Sequence, residues 1–135
     1  MIEKIEFENS RVTVLLSGTV DADDLLDAMK RIRSHHDFSS ICQELWKTAP
    51  DTKFDVVGED LMRVVSHARS EPAPNPALKI AMVAGSSLAF GIGRMYEAYL
   101  GEATWQFSVF SCLSAAEDWF LSHPDFEISA NNQLN

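Results

Sequence analysis

Positive charge is scarce in this chain of 135 residues: 11 Lys and Arg stand against 20 Asp and Glu, a formal net charge of −9. Phosphate backbones and anionic membrane surfaces are held by clustered cations, so no nucleic acid partner is expected. Cysteine is scarcer still. Cys42 and Cys112 are far apart in mostly apolar runs and form no Cys-x-x-Cys pair. That spacing removes a thioredoxin-like or zinc-ribbon reading and leaves two reduced, partly buried thiols. Long apolar runs are missing too. None approaches the roughly 20 residues that cross a bilayer, and the opening "MIEKIEFENS" has no apolar core of a signal peptide. A soluble cytoplasmic protein with no membrane span is the expectation.

Complete catalytic motifs are also lacking. "AGSSLAFGIGR" (84–94) has the glycine and serine content of a phosphate loop, but the interval from Gly85 to Gly91 is one residue too long for a Walker loop and no Lys follows. The pair Gly91 and Gly93 falls inside a helix, past the corner where a dinucleotide fingerprint would sit. "GSSL" lacks the Gly-x-Ser-x-Gly elbow, and no Ser-His-Asp set assembles from the spacing. A hydrolase using Ser86 or Ser87 is the weakest reading. His35 and His36 are adjacent, and on a helix adjacent side chains point about 100° apart, which does not favour one shared metal. No catalytic residue, metal or cofactor is expected.

What is present is a clear alternation of elements. Ile5 and Phe7 alternate with polar residues. After "NS", Val12, Val14 and Leu16 do the same, which predicts an antiparallel hairpin ended by Gly18. "DADDLLDAMKRIRSHHDF" predicts a helix capped by Asp21, with Leu25, Met29 and Ile32 facing inward and His35 and His36 at its end. "SSICQELWK" predicts a strand, "TAPDTKFDV" a loop with a short extended end, and "GEDLMRVVSHAR" a second helix. The three prolines of "SEPAPNP" predict a stiff surface connector. "LKIAMVA" is the most continuously apolar strand and should be central. A third helix from about Ser87 to Leu100, a strand "WQFSVF" and a last helix follow. Ser114 and Glu117 have the spacing of a capping box, and Pro124 marks a stop. The sum is an α/β fold: a mixed sheet of about five strands with four helices, in the order ββαβαβαβα, forming one domain over 1–123 with a polar tail over 124–135.

The third helix carries the candidate functional residues. Leu88, Ile92, Met95 and Tyr99 form its expected inner stripe, while Ala89, Tyr96 and Leu100 lie off it. A helix apolar on more than one face needs cover on both, and a homodimer is expected for that reason. Two interior glycines cost roughly 1 kcal/mol each relative to Ala. Gly91 and Gly93 therefore imply either close packing or a groove for a ligand. Arg94 reads as a salt bridge to Glu97 or as an anion clamp at a pocket mouth. The candidate partner- or ligand-binding set is Gly85, Ser86, Ser87, Phe90, Gly91, Arg94, Met95 and Tyr99.

The opening hairpin ending in Gly18, "DADDLLDAMKRI", "KIAMVAGSSLAFGIGRMYEAYL" and "FSVFSCLSAAEDWFL" together resemble the SpoIIAA-like family of the STAS superfamily, from about Ile2 to Leu121. They look most like its STAS/SEC14-domain branch, in which a Gly-x-x-Arg-Met-Tyr helix follows a strand. The resemblance implies an anti-sigma-factor-antagonist fold and a non-enzymatic module acting through protein–protein interaction. Antagonists of the sporulation type carry a phosphorylated serine in an Asp-Ser-Ser-Gly corner. The matching corner here is Asp55, Val56, Val57 and Gly58, with no hydroxyl to accept phosphate. The branch's name also implies a second reading, a carrier of a small apolar or lipid-like ligand. Its cavity would be lined by Phe90, Met95, Tyr99, Trp105 and Phe107.

Overall fold

The computed structural model describes residues 1–71, 75–101 and 105–122. Five strands form the main sheet: β1 (Ile2–Glu8), β2 (Arg11–Leu16), β4 (Gln43–Thr48), β6 (Lys79–Val83) and β7 (Gln106–Phe110), in the order β1-β2-β4-β6-β7. β1 pairs antiparallel with β2, and the other pairs are parallel. Four α-helices complete the α/β fold: α1 (Ala22–Ser34), α2 (Glu59–Ser70), α3 (Ser87–Leu100) and α4 (Leu113–Leu121). Two short strands, β3 (Thr19–Asp21), absent from the sequence reading, and β5 (Lys53–Asp55), the short extended end expected in "TAPDTKFDV", pair in parallel beyond the end of β2. Among the described residues no helix is long and apolar enough to cross a membrane. The tail over 124–135 and the prolines at 72 and 74 lie outside the described residues.

The strand order explains where the helices go. From β2 the chain moves to β4, β6 and β7, always toward the same edge. Right-handed crossovers then place α1, α2 and α3 on one face. Side chains alternate across a strand, so that face receives Val12 and Val14 of β2, Glu44 and Trp46 of β4, Ile80 and Met82 of β6, and Phe107 and Val109 of β7. Val12, Val14, Leu16 and Ile32 are fully enclosed there. The opposite face is covered by α4, whose Ala116 and Phe120 pack on Leu45 and Ala81.

Local chemistry sets the helix ends. Asp21 accepts from the Asp24 backbone N–H at 2.8 Å, and Asp24 accepts in return from the Asp21 backbone N–H at 3.1 Å. This reciprocal cap holds α1 as its sequence predicts. The expected capping box of α4 does not form. Cys112 is the N-cap, without a side-chain cap, which puts Ser114 inside the first turn. Glu117 is instead drawn to Arg11 of β2, whose guanidinium also lies over Phe120. Lys79 satisfies the other end of α4. Its buried ammonium donates to the carbonyls of Trp119 and Ser122 and to the Ser122 hydroxyl, which restores hydrogen bonds that the last turn cannot make internally.

Candidate functional site

The helix face of the sheet is not filled completely. Beneath α1, α2 and α3 lies a partly open cavity of about 100 Å³. α1 contributes Leu25, Met29 and Ile32, α2 contributes Leu61, Val64 and Ala68, and the sheet contributes Ile80, Met82 and Phe107. These residues are there because helical spacing brings positions i, i+3 or i+4, and i+7 to one face, and the sheet's period of two brings its apolar rows up to meet them.

Almost all of the lining is hydrocarbon or aromatic. Its polar members are Arg33 at the end of α1, Glu44 and Thr48 of β4, and the phenol of Tyr96 on α3, with the indoles of Trp46 and Trp105. Glu44 is only 5 % exposed. Its Oε1 accepts a hydrogen bond from Trp46 Nε1 at 2.9 Å. Burial raises its pKa above the usual carboxylate value, the negative charge of Glu71 adds to the rise, and the Trp46 hydrogen bond and the Arg33 guanidinium oppose it. Burial beside Glu44 likewise raises the Tyr96 phenol, so it stays protonated. Arg33 Nε pairs with Glu71 Oε2 at 3.0 Å, and its guanidinium lies 4.6 Å from the centre of the Phe38 ring. His67 Nε2 is 2.7 Å from Glu71 Oε1, within ion-pair reach when the ring is protonated but not aligned as a hydrogen bond.

The inner face of α3 differs from the expected one. Ala89, Gly93 and Leu100 are buried, and Tyr96 packs against Phe107 edge-on with ring centres 4.9 Å apart. The wall of the cavity comes from Ile92, Gly93 and Tyr96. Leu88, Met95 and Tyr99 of the expected stripe point outward, 65 %, 42 % and 47 % exposed. Two of the five expected lining residues, Trp105 and Phe107, are present, whereas Met95 and Tyr99 point outward and Phe90 packs on the Met82–Val109 cluster beyond it. The two glycines also part company. A Cβ on Gly93 would come within 2.8 Å of Val109 Cγ2 and 2.9 Å of Met82 Sδ, so this residue lets the helix touch the sheet. Gly91 has open space beside it and is exposed.

The corner before α3 is structural. The Gly85 N–H donates to Thr48 Oγ1 at 2.8 Å, and a Cβ there would strike the Thr48 carbonyl oxygen at 2.3 Å. The Ser86 hydroxyl caps the helix by accepting from the Ala89 N–H at 3.1 Å, and Ser87 is exposed. Two of the groups that would cradle an anion are therefore engaged within the protein. Arg94 Nη1 reaches Glu97 Oε1 at 3.2 Å on the outside of α3. None of Gly85, Ser86, Ser87, Phe90, Gly91, Arg94, Met95 and Tyr99 thus lines the cavity, whose walls come from other residues.

α1 stops at Ser34, so His35 and His36 are not on a helix, as the sequence reading assumed. Their rings stack 4.3 Å apart, with His35 also stacked on Phe7. The ligand atoms of His35, His36 and Asp37 lie within 4.8 Å of one another. His35 Nδ1, however, already accepts from the Asp37 N–H at 3.1 Å.

Sequence reasoning missed Glu44, Trp46, Arg33 and Tyr96. The period of two puts Glu44 and Trp46 on one side of their strand, but only the register with Val12 and Ile80 shows that side to be the one beneath α1, α2 and α3. No family model, curated protein or solved structure matches the chain.

Proposed function

We propose that this chain is a non-enzymatic STAS-like binding module whose cavity beneath α1, α2 and α3 carries a small, largely apolar ligand. The observation that supports it is the cavity itself: an apolar space with a buried carboxyl in its wall. Natural interiors are packed to the density of organic crystals, and a buried perturbed acid in a cleft marks a candidate site. The fold favours this location. In doubly wound sheets ligands sit where the strand order reverses. From β2 to β7 the order here runs one way, so the room lies under the helix layer and not at the Gly85 corner. The free thiols Cys42 and Cys112 suit a reducing, cytoplasmic setting.

Xenon tests the reading. It enters preformed apolar cavities, and xenon-pressurised methyl NMR should shift Leu25, Ile32 and Ile80 selectively. Unmoved methyl signals would show a solid core and end the carrier reading.

A second reading, docking to a protein partner or to a second copy, is favoured by one observation. Leu88, Met95 and Tyr99 are large, apolar and exposed on a single stripe of α3. Light scattering should find a dimer in the micromolar range; a monomer throughout that range would remove homodimerisation.

A further inference from the structure

Glu44 is an anomaly that the carrier reading leaves unexplained. It occupies a row shared with Val12, Ile80 and Phe107 across four strands. An apolar residue there would carry no electrostatic cost. An ionised carboxylate in such a row is expensive unless paired. The charged and titratable groups facing it are Arg33 from α1, His67 and Glu71 from the end of α2, and Tyr96 from α3. Arg33 is the one cation among them apart from a protonated His67, and it is paired with Glu71. Among the described residues, the groups around Glu44 are thus hydrocarbon, the Trp46 indole N–H, the Tyr96 phenol and the Arg33 guanidinium engaged by Glu71.

Such an environment favours the neutral acid, which has an O–H to donate. The Tyr96 phenol is a donor as well. This pole of the cavity is rich in donors, and a matching ligand brings an acceptor without bringing charge. A carboxylate ligand would bring an unpaired charge into an apolar space beside the Glu71 carboxylate. An ammonium ligand would enter the field of Arg33. Size narrows the choice further. Benzene fills a cavity of roughly 150 Å³, about 25 Å³ per heavy atom, so about 100 Å³ encloses roughly four heavy atoms, with any longer chain leaving through the open side.

Resting on the carrier reading, we propose that the cavity takes a short neutral carbonyl compound, a ketone, aldehyde or ester, whose hydrocarbon body lies among Leu25, Ile80 and Phe107 and whose oxygen accepts a hydrogen bond from Glu44.

The test uses the full chain, xenon, and the four-carbon probes 2-butanone, n-butylamine and butyrate, with n-butane as the reference hydrocarbon. Trp46, hydrogen-bonded to Glu44, reports occupancy through its indole N–H resonance. The expected result is that 2-butanone binds about tenfold tighter than n-butane and shifts that resonance. Its affinity should be greatest at low pH and fall, toward tenfold per pH unit, once Glu44 ionises. Glu44→Gln, which keeps an N–H donor, should retain 2-butanone and lose the pH dependence. Xenon entry with 2-butanone no better than n-butane would overturn the carbonyl proposal and leave the carrier reading intact. Tighter binding of n-butylamine or butyrate would overturn it in favour of a charged head. Failure of xenon itself would remove the carrier reading.

Discussion

Gly93 and Gly91 sit two residues apart in α3 yet should respond to alanine in opposite directions. In an exposed helix interior Gly→Ala gains about 1 kcal/mol, because glycine loses more backbone freedom on folding. Gly91 has nothing near its Cβ position, so Gly91→Ala should gain that amount in full. At Gly93 the new methyl would meet Val109 Cγ2 at 2.8 Å and Met82 Sδ at 2.9 Å, closer than van der Waals contact permits. Met82 can swing aside, but Val109 is β-branched and stiff. Overpacking of this kind costs about 1–3 kcal/mol. Set against the same helical gain, Gly93→Ala should range from neutral to about 2 kcal/mol less stable. The two variants should therefore differ by about 1–3 kcal/mol, or roughly 4–12 °C in melting temperature for a domain of this size. Urea denaturation followed by circular dichroism reads the difference directly. Equal stabilisation by both substitutions would refute the close approach of α3 to β6 and β7. Because Gly93 lines the cavity, Gly93→Ala should also weaken xenon binding, whereas Gly91→Ala should not.

Other expectations follow from single groups. Glu44 has its pKa raised in the folded state, so its favourable contribution is complete below the unfolded value and is lost as pH rises through the folded one. Glu44→Gln should flatten that decline, which has a limit of about 1.4 kcal/mol per pH unit for one proton, and should be the more stable protein at high pH; parallel stability–pH curves would contradict this. Lys79→Met should cost about 2–3 kcal/mol, since hydrogen bonds to charged groups are strong and the Ser122 carbonyl and hydroxyl lose the ammonium while the Trp119 carbonyl keeps only its Ser122 donors; an unchanged urea midpoint would count against the latch. Met95→Ser with Tyr99→Ser should abolish any dimer seen by light scattering while leaving the urea midpoint nearly constant; persistence of the dimer would move the interface elsewhere.

Periodicity revealed most of the architecture. The hairpin, the Asp21 cap and the inner face of α1 depend on local pattern and appear where the residues indicated, while the apolar β6, expected to be central, is an interior strand beside β4, which holds the middle of the sheet. The short β3–β5 pair was illegible because three-residue strands carry too few alternations to stand out. The face of α3 was misjudged because the helix is apolar nearly all round; alanine and glycine, not the bulky Leu88, Met95 and Tyr99, meet the sheet. A bulky stripe looks like a core stripe in sequence, but a helix lying close to a sheet needs small residues at the contact. The polar pole of the cavity stayed hidden for a different reason. Glu44, Arg33 and Tyr96 come from three elements, and no spacing along the chain announces that they converge.

The one-way march of strands from β2 to β7 has a mechanical corollary. The floor of the chamber is a hydrogen-bonded slab, while its roof is three separate rods joined to that floor by connecting loops. Room for a guest can thus be enlarged or reduced by sliding a rod, without breaking a rung of the ladder below. Relatives built on this plan could diverge in what they hold by changing the undersides of α1, α2 and α3 while keeping the same floor.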